Sequence, residues 1–107
     1  MADQPSQTPL LELLASMTAS SLETSELDSE TLMLVRIAAL VAVDAPPASY
    51  LMNLGAAGEV GVTVDQVQGV LAGVAPIVGT SRVVSAAGKM ARALGLAVAL
   101  ADEPEYE

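Results

Sequence analysis

The chain has 107 residues, enough for one core and no second, and 52% are apolar although it holds two tyrosines and neither phenylalanine nor tryptophan. Thirteen acids against four bases give a net charge of −9 and an isoelectric point near 4.1, which argues against nucleic acid and anionic membranes as partners. With no cysteine and no histidine, the chain has no disulfide, thiolate nucleophile, cysteine-ligated cluster or imidazole base.

The interior must therefore be built from Ala, Val, Leu, Ile and Met, whose small side chains let helices approach closely. A mean hydropathy of +0.53 leaves more apolar surface than one small core can hide, which predicts a homo-oligomer. The acids lie mostly in 23–30 and 102–107 and read as solubilising charge rather than a docking tail. No D-x-D-x-D-G run marks a cation site, and neither metal nor cofactor is expected. Residues 1–9 lack a signal-peptide pattern. The apolar run Leu32–Val43 is too short to cross a bilayer and contains Arg36. A cytoplasmic location is expected.

Residues 1–8, polar and interrupted by Pro5, are expected to be disordered. Thr8-Pro9 opens a first helix predicted to run to about Ser20 and to bury Leu10, Leu13, Leu14 and Met17. A polar connector, 20–27, follows. Asp28 caps a second helix over Ser29–Val43 that is apolar almost all round and so belongs at the centre of a core or between subunits. Asp44-Ala45-Pro46-Pro47 breaks it.

A third helix is predicted from about Pro47 to Val60, ended by Gly61. Thr63-Val64-Asp65-Gln66 is a capping box for a fourth helix, Val64 to about Ala75, with Pro76 and Gly79 at its end. Thr80 or Ser81 caps a last helix reaching about Leu100. No segment alternates with period two. The expectation is a single all-α domain of five to six helices over 9–101, followed by a loose acidic tail, 102–107.

Leu27-Asp28, then Leu34-Val35-Arg36-Ile37-Ala38-Ala39-Leu40, a breaker, a helix, Gly61-Val62-Thr63 and a valine-rich helix together resemble the carboxymuconolactone decarboxylase family, within the alkylhydroperoxidase-like superfamily. The resemblance covers residues 27–96. It implies a helical hairpin that packs into trimers or hexamers. In the redox branch it also implies a C-x-x-C-x-x-x-H motif opening the helix after the breaker, with a glutamate about twelve residues upstream. Here those places fall to Pro46, Ser49 and Asn53, with Met33 or Leu34 upstream. A proline cannot be a nucleophile and a methionine or leucine cannot relay a proton, so thiol peroxidase chemistry is excluded. The decarboxylase branch resembles an enzyme that surrounds an acidic lactone with polar and basic groups, commonly histidine, which this chain lacks.

The polar groups left near that helix entrance are Asp44, Ser49, Tyr50 and Asn53. Ser49 and Asn53 share a helix face and either hydrogen-bond a small ligand or satisfy local backbone. A lone Tyr50 is an anchor with a satisfied hydroxyl or a ligand contact. Arg36, in the most apolar helix, either pairs with Glu59 or Asp44, in its own chain or across subunits, or grips a ligand carboxylate in a bidentate fork.

Ser85 and Lys89 stand four apart but lack the S-x-x-K order of a dyad. Arg82, Lys89 and Arg92 form a solvated or interface stripe. Gly55, Gly58 and Gly61 are no phosphate loop, because no strand precedes them and no Walker lysine follows. Gly69 and Gly73 are expected to allow close helix packing. Two readings follow: a catalytically degenerate oligomeric binding or scaffold module, or a cysteine-independent enzyme acting on a small acidic or lactone-like metabolite. Arg36, Ser49, Tyr50 and Asn53 are the candidate ligand-binding residues; a pocket lined by them favours the enzyme, and one filled with Leu, Met and Val favours the module. A third, a partner protein held through the acidic tail, stands beside them.

Overall fold

The computed structural model describes residues 8–102, with side chains described as far as residue 95. Of the segments expected to be disordered (residues 1–8) and loose (residues 102–107), residues 1–7 and 103–107 lie outside the described residues, whereas Asp102 ends the last helix. Five helices follow one another: α1 (Pro9–Thr24), α2 (Ser29–Val43), α3 (Pro47–Glu59), α4 (Val64–Val78) and α5 (Thr80–Asp102). Among the described residues there is no strand, and the fold is all-α. No helix there is long and apolar enough to cross a membrane.

α2 starts where a carboxylate can cap it, Asp28 Oδ1 accepting from the Thr31 N–H at 2.7 Å. The capping box of α4 is complete, with the Gln66 N–H donating to Thr63 Oγ1 at 3.1 Å and the Thr63 N–H donating to Gln66 Oε1 at 2.8 Å. The Gln66 amide also donates to Glu30, which fastens the start of α4 to the first turn of α2. α3 ends as glycine dictates. Gly61 takes φ +94, and the Val62 N–H returns to the Ala57 carbonyl at 3.0 Å.

α2, α3, α5 and α4 form a ring in which each packs on the next, and α2 also meets α5 across the middle. The core follows the i, i+4 stripe Met33, Ile37 and Val41 of α2. Ala45 continues it, Tyr50 and Ala57 face it from α3, and Ala86, Met90 and Ala93 close it from α5. α4 adds only partly buried valines and Leu71. α2 is the central helix, as its apolar circumference predicts.

Four expectations are corrected. α1 runs four residues past Ser20, through much of what reads as a connector, and buries nothing: Leu10, Leu13, Leu14 and Met17 are 64%, 57%, 45% and 56% exposed. No other helix brings its backbone against α1. Helical spacing shows which face a helix would bury but not whether a partner stands there.

α4 continues through Pro76 to Val78. The proline lies in the last turn, so one donor is lost while the Gly79 N–H still reaches the Ala75 carbonyl at 2.9 Å. α5 is entered from Gly79, at φ +91, which leaves Thr80 and Ser81 inside the helix rather than capping it. Gly69 and Gly73 face open space, with nothing within 4 Å of a Cβ placed on either.

The two kinds of glycine separate in a stability measurement. Gly61→Ala is expected to destabilise by roughly 1–2 kcal/mol, because a Cβ resists the left-handed conformation. Gly69→Ala, in an open helical position, should stabilise by about 0.5–1 kcal/mol. Urea unfolding of both variants checks the pair, and a destabilised Gly69→Ala would show that this face is covered in solution.

Candidate functional site

α2 stops at Asp44, whose φ of 55° and ψ of 54° place a non-glycine residue in the left-handed region. The Ala45 N–H bonds the Leu40 carbonyl at 3.0 Å and the Asp44 N–H bonds that of Val41 at 3.2 Å, closing the helix in a Schellman arrangement. Lys89 of α5 then clamps the turn. Its ammonium donates to Asp44 Oδ1 at 2.9 Å, to the Ala45 carbonyl at 2.9 Å and to the Asp44 carbonyl at 3.3 Å. A cation there also answers the negative end of α2. Ser85 Oγ adds a hydrogen bond to Asp44 Oδ1 at 2.8 Å.

All three ammonium hydrogens have an acceptor, so Lys89 is a structural clamp and not a base. The bonds from Lys89, followed by that from Ser85, hold the Asp44 carboxyl below its ordinary range. Sequence reasoning singled out the Ser85–Lys89 spacing and Asp44 separately but could not join them. The signal available was a lysine whose reach matches a helix C-terminus elsewhere in the chain.

Pro46 caps α3 and Pro47 opens it, so the place that the resemblance assigns to a first cysteine stands at a helix N-terminus and holds no donor. One turn on, Asn53 Nδ2 donates to the Ser49 carbonyl at 2.9 Å, and the Ser49 N–H bonds the Pro46 carbonyl at 3.0 Å. Tyr50 is fully buried and its hydroxyl has no hydrogen-bond partner among the described residues, contrary to the expected satisfied anchor. Burial first, then the negative charge of Asp44, push its hydroxyl pKa upward.

A solvent-open groove of about 500 Å³ lies between α1 on one side and α2 and α3 on the other. Met17 and Ser21 line it from α1, Met33, Arg36 and Leu40 from α2, and Met52 and Asn53 from α3. Of the four candidate residues it brings Arg36 and Asn53 together, and neither Ser49 nor Tyr50 lines it. Arg36 is half-buried and forms no ion pair among the described residues. Its Nη2 donates to Ser21 Oγ at 2.9 Å. Within the chain, the expected pairing with Glu59 or Asp44 is not made; Lys89 holds Asp44. Ser21 went unnoticed because it falls in the supposed connector.

A sequence model of the carboxymuconolactone decarboxylase family matches residues 8–93. Searches of curated proteins and of solved structures find no match.

Two outcomes follow from this geometry. Because Asp44 titrates lower folded than unfolded, its contribution is full above the unfolded carboxylate range, near pH 4, and is lost as pH falls through it. Thermal melts from pH 6 to pH 3 should therefore fall less steeply for Asp44→Asn than for the parent chain. Tyr50→Phe removes an unpaired buried hydroxyl and is expected to leave stability unchanged or raise it by up to about 1 kcal/mol. A loss larger than that, read by urea unfolding, would mean that the hydroxyl is bonded in solution.

Proposed function

The chain belongs to the carboxymuconolactone decarboxylase family, and we propose that within it the protein is a catalytically degenerate, oligomeric binding or scaffold module of the cytoplasm. The observation that carries this reading is α1. Its apolar residues Leu10, Leu13, Leu14 and Met17 are exposed, and no other helix brings its backbone against α1. A radius of gyration of 16.1 Å exceeds the roughly 13 Å of a compact chain this long. An exposed leucine stripe of that kind is what association covers. α1 carries no lysine or arginine, unlike helices that lie on anionic membranes, so further copies of the chain are the better partners. A trimer or hexamer would cover the stripes in a closed ring.

The loss of catalysis has its own support. The ionisable groups at the entrance to α3 are committed, Asp44 to Lys89 and Tyr50 to the core. No lining residue of the groove can act as a base near neutral pH. A second reading, a cysteine-independent enzyme for a small acidic or lactone-like metabolite, draws on Arg36 and Asn53 sharing one solvent-open groove. The first is preferred because the groove supplies a cation and apolar walls but nothing to move a proton.

Light scattering tests the assembly. The parent chain is expected at three or six times its 10.8 kDa, and Leu10→Asp with Leu14→Asp should fall to the monomer with its helical circular dichroism kept. Arg36→Ala should keep the assembly, since Arg36 bonds within its own chain. A monomeric parent chain would overturn the oligomeric reading.

A further inference from the structure

Among the described residues Arg36 is a cation without a counter-charge. Its guanidinium has five N–H groups, one hydrogen bond to Ser21 uses one of them, and no described carboxylate comes to the rest. It stands half-buried in a groove whose other walls are mainly the side chains of Met17, Met33, Leu40 and Met52. The Arg36–Ser21 bond is exposed to the open groove and leaves guanidinium donors unused, so an anion entering the groove can reach them. Ser21 strengthens the preference. Its oxygen accepts from Arg36, which leaves its own hydrogen to donate in turn.

We infer that this groove binds a small organic monocarboxylate with an apolar body, its head on Arg36 and Ser21 and its body along the three methionines. The inference names the ligand of the binding module proposed above and rests on that reading. The volume, about 500 Å³, falls in the range of small-molecule sites. Methionine walls are adaptable and accept apolar bodies of varied shape.

The charge count sets the selectivity. Among the described residues Arg36 is the one charged residue lining the groove, so it takes one carboxylate. A second would lie against methionine, and the net charge of −9 opposes a dianion further. Because Ser21 belongs to α1 and Arg36 to α2, a carboxylate bridging them would also fasten α1 to the bundle.

Titration of the full chain with octanoate, followed by the methionine methyl resonances, tests the site. Saturable shifts are expected for Met17, Met33 and Met52, with Met90 of the core unmoved. Suberate, of the same length with two carboxylates, and octylamine, with the opposite head charge, should bind at least tenfold more weakly. Arg36→Gln keeps the apolar stem and should weaken octanoate by about tenfold or more. Met52→Asp, at an exposed position on the rim, should weaken it too while leaving the circular dichroism unchanged.

Equal binding by Arg36→Gln or by octylamine would overturn the carboxylate site, as would no saturation by the parent chain. Light scattering on the same samples keeps the two readings apart. An oligomer blind to octanoate loses this inference and retains the proposed assembly, whereas a monomer that binds it does the reverse.

Discussion

Lys89 joins the two halves of the molecule. A left-handed residue after α2 is uphill for any side chain, and Asp44 takes that conformation while its carboxylate and two successive carbonyls receive one ammonium. The turn therefore has one direction. With Pro46 and Pro47 following at once, α3 can leave only along the path that drops Tyr50 into the core and sets Met52 and Asn53 beside Arg36. The clamp also consumes the ionisable groups nearest the head of α3. One arrangement both builds the hairpin and engages Asp44 beside the head of α3.

A second constraint comes from side-chain size. Among the described residues Tyr50 is the single aromatic ring in the core, and alanines fill four of the nine buried positions of that cluster. Helices lined by alanine can approach closely but exclude little water for each contact. The apolar residues that such a core cannot take are left outside, and they gather on α1 and on Val35, Val43, Met52 and Ile77. The excess visible in the mean hydropathy is thus the physical consequence of a thin core, and it lies where neighbouring copies could cover it.

The legible parts of the fold were those decided by local chemistry. Asp28, the Thr63–Gln66 box, the double proline and Gly61 each act on backbone groups within a few residues, so the limits of α2 and the starts of α3 and α4 could be read from the chain. The family resemblance and the all-α class followed from the same local signals. What could not be read depended on distant partners. The leucines of α1 have the spacing of a buried face, and nothing local reveals that no helix stands opposite them. Arg36 was placed in the right surroundings, but its bond to Ser21 spans fifteen residues and its expected acid is held forty-five residues away by Lys89.

What the groove can do depends on few of the side chains that set the fold. Asn53 and either Met33 or Leu34 hold places that the resemblance gives to proton-handling groups, and Asn53 and Met33 line the groove beside Arg36. Pro46 stands at the cap of a helix whose N-terminal dipole would lower a thiol pKa, but no thiol is there to feel it. The described lining of the cleft supplies one cation, Arg36, and apolar walls that include Met33 and Met52. The helix ends and the Lys89 clamp that set the fold lie elsewhere, so the chemistry of the cleft rests on the few side chains that face it.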